Sequence, residues 1–150
     1  MSFYYLDSSV WVKRYYQEVG TDWVKEFFEQ NQPISCSPVG FFEVMATLYR
    51  KGKAKELPSE DIEKKRLDLK DDWELFIQIK LTEAVANQTE EAIKNFSLRG
   101  ADSIHLASAL SFKKRLGKER NLIFITSDQE LKEAARLSGF EVLDPSDQKQ

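Results

Sequence analysis

Residues 121–126, NLIFIT, restrict the architecture more than any other stretch of this chain. Four apolar residues stand in a row at 122–125. A strand alternates its side chains between two faces, so such a run is buried on both. Burial on both faces belongs to a parallel sheet covered by helices, and the rest of the chain alternates strand and helix patterns accordingly. Residues 2–6 (SFYYL) read as the first strand, followed by a helix over 8–18 with Ser8 or Ser9 as its N-cap. Thr21 can cap a helix over 22–30, which Gln32 and Pro33 break. Residues 34–36 form a short strand. Pro38 opens a helix that runs to about Lys51 and stops at Gly52. Pro58 and Ser59 begin a helix to about Asp72, in which Asp71 and Asp72 read as solvated. ELFIQIK (74–80) alternates like a strand. Thr82 caps TEAVANQTEEAIKN, and a helix starts near Arg99 and Gly100 and ends at Gly117. DQELKEAARLSG is a helix ended by Gly139, FEVLD is the last strand, and residues 144–150 are expected to fray. The expectation is an α/β fold whose central, mostly parallel sheet has helices on both faces.

A chain of 150 residues is long enough for one domain with a real core, and residues 1–150 are read as a single unit. The net charge of -3 argues against a protein that coats nucleic acid over a broad basic face. Local contacts stay open, because basic residues cluster in RKGKAK (50–55) and KKRLGKER (113–120), although such runs also suit solvated helix ends. Cys36 is the sole cysteine, which excludes an internal disulfide and a CxxC zinc site. No leader pattern and no membrane-length apolar run is present, so a cytoplasmic location without a membrane partner is expected.

Four acids fall in unusual places. Asp7 follows the first strand and Asp128 follows NLIFIT after Thr126 and Ser127, where ligands bind in open parallel sheets. Aspartate is also a preferred N-cap, so either residue alone reads equally well as a cap. Glu43 sits in VGFFEVMATLY, sharing a helical face with Val39, Ala46 and Arg50. Burying a carboxylate there costs several kcal/mol unless it is paired or bound to metal, and Arg50 offers an ion-pair partner. Asp102 opens ADSIHLASAL, a helix of small residues, where the helix dipole would favour it in any case. His105, the only histidine, fits a structural hydrogen-bonding role better than metal ligation, and Cys36 fits a small core residue better than a nucleophile. An oxygen-only ligand set suits Mg²⁺ or Mn²⁺. Spacing alone does not bring these acids together.

YYLDSSVWVKRYYQEVG, SPVGFFEVMATLYRK, LRGADSIHLASAL and FITSDQELKEAARLSGFEVLD resemble, in that order, the four motifs of PIN-domain ribonucleases, in particular the VapC-type toxins. The resemblance spans nearly the whole chain. It implies a three-layer sandwich with a sheet of four to five strands and with the acids grouped at one edge. By resemblance, Asp7, Glu43, Asp102 and Asp128 take the places of the catalytic metal ligands. Ser9 matches the hydroxyl residue after the first acid, and Thr126 or Ser127 the one before the fourth. The implied activity is Mg²⁺- or Mn²⁺-dependent cleavage of RNA by a homodimer that a small antitoxin inhibits. Arg50, Lys13 or Arg99 would contact the RNA backbone. Two departures stand out: Gly40 occupies a place where the family often has a hydroxyl, and an additional acid of some members has no counterpart here. Two rivals remain: a non-catalytic nucleic-acid-binding module of the same fold, and an aspartyl-phosphate phosphoryl-transfer protein. Ser9 counts against the second, because a dehalogenase-type phosphatase needs an aspartate at that place.

Overall fold

Strand β1 (Ser2–Leu6) shows directly how the sheet is covered. Phe3 and Tyr5 face α6 (Gly100–Leu116), with ring centroids 5.9 Å from Phe112 and 5.9 Å from His105. Tyr4, between them, faces the other way and meets Phe27 of α2 (Thr21–Glu29) at 4.9 Å. Period-two alternation therefore gives each side of the strand its own helix layer. The computed structural model describes residues 2–147. Among these, five parallel strands form one sheet in the order β3-β2-β1-β4-β5, with β2 at Ile34–Cys36, β3 at Ile77–Gln78, β4 at Asn121–Ile125 and β5 at Glu141–Leu143. The α/β sandwich expected from the sequence is present.

The chain leaves β1 outward through β2 to β3, then returns to place β4 on the other side of β1. The order thus reverses between β1 and β4, which pair in register from Ser2 opposite Asn121 to Leu6 opposite Ile125. A cleft opens beyond the carboxyl ends of strands at such a reversal. Asp7 and Thr126, the residues that follow the two strands, both stand there.

The remaining helices are α1 (Ser8–Trp11), α3 (Pro38–Lys53), α4 (Ser59–Leu75), α5 (Glu83–Phe96) and α7 (Gln129–Leu137), with single 3₁₀ turns at Val12–Arg14 and Pro145–Asp147. Thr82 caps α5 as expected, accepting from the Val85 N–H at 3.2 Å. Other caps differ from the sequence reading. Asp7, not Ser8 or Ser9, caps α1, and that helix gives way to a 3₁₀ turn ending at Arg14 rather than continuing to 18. Thr21 lies inside α2, where its hydroxyl accepts from the Glu18 N–H.

Helix α1 is too short to be stable alone and is held by Trp11. The indole is fully buried, 4.5 Å from Phe76, 5.8 Å from Trp73 and 6.3 Å from Phe41 by ring centroids. Burying a residue of this size contributes on the order of 5 kcal/mol. The same cluster explains why 74–80 is not a long strand. Leu69, Trp73 and Phe76 follow a helical period into the core, so α4 persists to Leu75 and only Ile77–Gln78 pairs as β3. Asp72 is a further correction. It accepts from Arg14 Nε at 2.7 Å and from the Tyr15 hydroxyl, so it clasps α4 to the turn after α1 and is not a solvated acid. No helix among the described residues is long and apolar enough to cross a membrane.

The expected fraying from residue 144 does not hold for 144–147; residues 148–150 lie outside the described residues. Asp144 and Lys132 are both buried, with Nζ 2.5 Å from Oδ2. Ser127 Oγ and the Ser146 N–H also donate to the Asp144 carboxylate, at 2.7 and 2.8 Å. Burial alone would raise the Asp144 pKa, but Lys132 and Ser127 hold it below its ordinary 3.8. A folded value below the unfolded one stabilises the protein above pH 3.8, and that contribution is lost as pH falls through the folded value. Lys132→Met keeps the aliphatic stem and strands the buried acid. Urea unfolding at pH 7 should show a loss of about 3 kcal/mol, and the gap to the parent protein should close as the acid protonates at low pH.

Candidate metal-binding acidic cleft

The four acids reach the cleft by four local routes. Asp7 ends β1 and caps α1 through Oδ1, which accepts from the Val10 N–H at 3.4 Å and from Ser9 Oγ at 2.7 Å. Its Oδ2 accepts from Thr126 Oγ1 at 2.9 Å, across the β1–β4 boundary. Asp128 follows β4 and caps α7, accepting from the Leu131 N–H at 2.9 Å through Oδ1. Its own N–H donates to Thr126 Oγ1 at 3.0 Å. Thr126 therefore joins the first and fourth acids. Ser9 closes the same ring by accepting from the Ser127 N–H at 3.0 Å, while the Ser127 hydroxyl turns away to Asp144.

Asp102 lies in the first turn of α6 and is buried, and Arg99 donates to its Oδ2 through Nε and Nη2, both at 3.2 Å. The same Nη2 lies 3.5 Å from Asp128 Oδ2. Glu43, halfway along the exposed-to-buried boundary of α3, also feels the Arg99 charge. One guanidinium thus stands among three of the acids. The Arg99 side chain is 77% exposed, so it lies over the cleft rather than within the core.

Glu43 is not paired with Arg50. Its partner is His105, whose Nε2 is 2.6 Å from Oε1, and Ser8 also hydrogen-bonds to it. Arg50 is exposed, two turns further along α3, and donates to Thr47. Lys13 is buried and pairs with Glu18 at 3.6 Å. Neither pairs with one of the four acids, which removes the expected Arg50–Glu43 ion pair. Arg99 is the cation that the fold delivers. The buried Asp144, paired with Lys132, is an acid beyond the four and accepts from the hydroxyl of Ser127, the residue before Asp128.

The electrostatics follow from burial and donors. Burial raises the Asp7 pKa from 3.8 to about 6, against the pull of His105, Ser9, Thr126 and the Val10 N–H. Burial, then the nearby Asp128 charge, raises the Asp102 pKa despite Arg99. Burial would raise that of Glu43 too, but the His105 hydrogen bond prevails and lowers it. Among the described residues, no three His, Cys, Asp or Glu side chains are gathered tightly enough to enclose an ion as they stand. The donor set nevertheless fits a hard divalent cation. All four acids offer oxygen, Asp102 and Asp128 repel each other, and a positive group already bridges them.

Because the folded Asp7 pKa lies above the unfolded 3.8, its charged form is penalised in the fold. Stability is therefore present below pH 3.8 and lost as pH rises from 3.8 through about 6. Asp7→Asn keeps the cap and removes the charge. In EDTA at pH 8 the variant should melt about 5 °C higher, equivalent to roughly 2 kcal/mol, with the difference vanishing near pH 3. Circular dichroism melts at both pH values check this; a lower midpoint at pH 8 contradicts it.

The PIN domain family model matches residues 4–137. Ribonuclease VapC45 of Mycobacterium tuberculosis (strain CDC 1551 / Oshkosh) is 27% identical over 149 residues, covering 97% of this chain and 100% of that protein. Ribonuclease VapC49 of strain ATCC 25618 / H37Rv gives the same figures. Among solved structures, FitAcB from Neisseria gonorrhoeae superposes with a TM-score of 0.70 at 17% identity, covering 97% of this chain and 100% of the other. DNA-bound VapBC from Salmonella typhimurium superposes with a TM-score of 0.65 at 14% identity, covering 97% and 99%. These two structures share the fold. The family match runs from β1 to the end of α7 and takes in all four acids, and this chain belongs to the PIN domain family.

Proposed function

We propose that this chain is a Mg²⁺- or Mn²⁺-dependent endoribonuclease and the toxin of a toxin–antitoxin pair. The observation that carries the reading is the pairing of Asp102 and Asp128 through Arg99, with Asp7 tied to Asp128 through Thr126. The curated relatives are named ribonucleases, and several structures of the same fold are VapBC assemblies, one described as a toxin–antitoxin complex. These names support RNA as substrate and a small antitoxin as partner. A homodimer in the cytoplasm completes the proposal.

Asp7, Glu43, Asp102 and Asp128 would hold the cation. When bound, it supplies charge neutralisation at the phosphate and acidifies water that serves as nucleophile. Thr126 and Ser9 hold both oxygens of Asp7, and the Ser127 N–H fixes Ser9. They orient the carboxylate. Arg99, mostly exposed, would leave the acids when the cation arrives and contact the RNA backbone. Arg50, exposed two turns beyond Glu43 on α3, would contact the backbone further from the acids.

An exposed guanidinium beside Asp102 and Asp128 would also serve the rival reading, a non-catalytic nucleic-acid-binding module. Incubating total RNA with the protein and Mn²⁺ separates the two. Cleavage supports the enzyme, and no heat on calorimetric titration with Mn²⁺ supports the rival. Asp128→Asn preserves a good helix cap, so it should lower the cleavage rate at least about a hundredfold while leaving the fold intact. Arg99→Ala should tighten Mn²⁺ binding severalfold and weaken RNA binding. The slope of log K against log salt should become shallower by about 0.7, the value for one lost contact to single-stranded phosphate.

A further inference from the structure

The buried groups around Glu43 form a chain that the proposed chemistry does not use directly. The Ser37 N–H, at the cap of α3, donates to the Tyr5 hydroxyl at 3.1 Å. That hydroxyl lies 2.8 Å from His105 Nδ1. Tyr5 accepts from Ser37 and shares a proton with Nδ1. Nε2 carries a proton both in the neutral ring that accepts from Tyr5 and in the imidazolium that Tyr5, Cys36 and Glu43 favour. Nε2–H then donates to Glu43 Oε1 at 2.6 Å. The chain starts on α3, crosses β1 and α6, and returns to α3 six residues further on. Tyr5 and His105 are both fully buried, whereas Glu43 is one-third exposed.

Gly40 makes this approach possible. A Cβ at residue 40 would lie 2.4 Å from Cys36 Sγ and 3.1 Å from His105 Cε1. Cys36 is itself buried, close enough to His105 to affect its charge. The imidazole is thus confined by Tyr5, Cys36 and the bare backbone of Gly40, with one polar edge left for Glu43. Glu43 is less confined: at the exposed-to-buried boundary of α3 its side chain is held by Nε2 of His105 and by Ser8.

From this geometry we infer that His105, held by Tyr5 and given room by Gly40, is a positioning residue that aims Glu43 into the acidic cleft. The inference rests on the reading of Glu43 as a cation ligand. Groups that orient a ligating carboxylate in this way typically change metal affinity by about 10–100-fold when removed.

The test separates aiming from bulk packing. In His105→Gln the amide nitrogen reaches the place of Nε2 and can still donate to Glu43. In His105→Asn it reaches only the place of Nδ1, on the Tyr5 side. Both replace a buried ring and should lose similar thermal stability. Free Mn²⁺, counted by its electron paramagnetic resonance signal against the intact folded protein, gives affinity without reference to turnover. The expected result is Mn²⁺ affinity within about threefold of the parent for Gln and a loss of about 10–100-fold for Asn. RNA cleavage should fall in the same order. Unchanged affinity in both variants, or an equal loss in both, overturns the inference. Asp128→Asn serves as the reference: if it keeps full cleavage and Mn²⁺ affinity, the metal-site reading itself fails. If it loses both while His105→Asn loses neither, only the positioning role fails.

Discussion

Like charges must be held together at the reversal between β1 and β4, and the rest of the cleft is organised around that constraint. Each acid has its own donor. Asp7 has Thr126 and Ser9, Glu43 has His105 and Ser8, Asp102 has Arg99, and Asp128 has the Leu131 N–H and a share of Arg99. Without these donors, desolvation would protonate or expel the carboxylates. Their supply reaches well into the fold. Thr126 is in place because β1 and β4 pair in register, and Ser8 and Ser9 because Trp11 anchors a helix of four residues. His105 is in place because α6 packs on the Phe3 and Tyr5 face of β1.

The cap and ligand readings of Asp7 and Asp128 looked like alternatives in the sequence, and the structure shows why they need not be. A carboxylate has two oxygens. In Asp7, Oδ1 serves the helix and Oδ2 meets Thr126; in Asp128, Oδ1 serves the helix and Oδ2 faces Arg99. A short turn from a parallel strand into a helix therefore delivers one carboxylate oxygen to the cleft while the other holds the turn rigid. An asparagine would cap equally well but could not offer the charge.

Most of the fold was legible because its boundaries carry local signals. Pro38, Thr82, Gly117 and Gly139 mark element ends by rules that need no tertiary contact. The misreadings occurred where distant packing overrides local pattern. ELFIQIK alternates, yet Trp73 and Phe76 close on Trp11 and keep the helix going. Asp72 looks solvated on its own helix and is claimed by Arg14 and Tyr15, more than fifty residues away. At the cleft, Asp7, Asp102 and Asp128 stand out in the sequence by their places at strand ends and a helix start, Glu43 by its apolar neighbours, and only the family resemblance groups the four. Their partners were not legible. Spacing on one helix suggested Arg50 for Glu43, whereas the true partner lies 62 residues away on another element. The signal available was indirect: a lone histidine on a tightly packed helix, and a glycine one turn before an acid.

That glycine gives the departure at residue 40 a physical meaning. A hydroxyl side chain there needs a Cβ, and the Cβ would collide with Cys36 Sγ at 2.4 Å before its oxygen reached anything. Cys36 cannot yield easily, because it is fully buried on β2 against the core. A side chain at 40 and the present packing of Cys36 and His105 therefore exclude one another. Two solutions exist for steering the second acid: a hydroxyl on the same helix, reaching along it, or a base on a neighbouring helix, reaching across a bare backbone. This chain has the second. Its consequence is that the helix that carries Asp102, α6, also supplies a hydrogen bond to Glu43, so the second and third acids draw on one element.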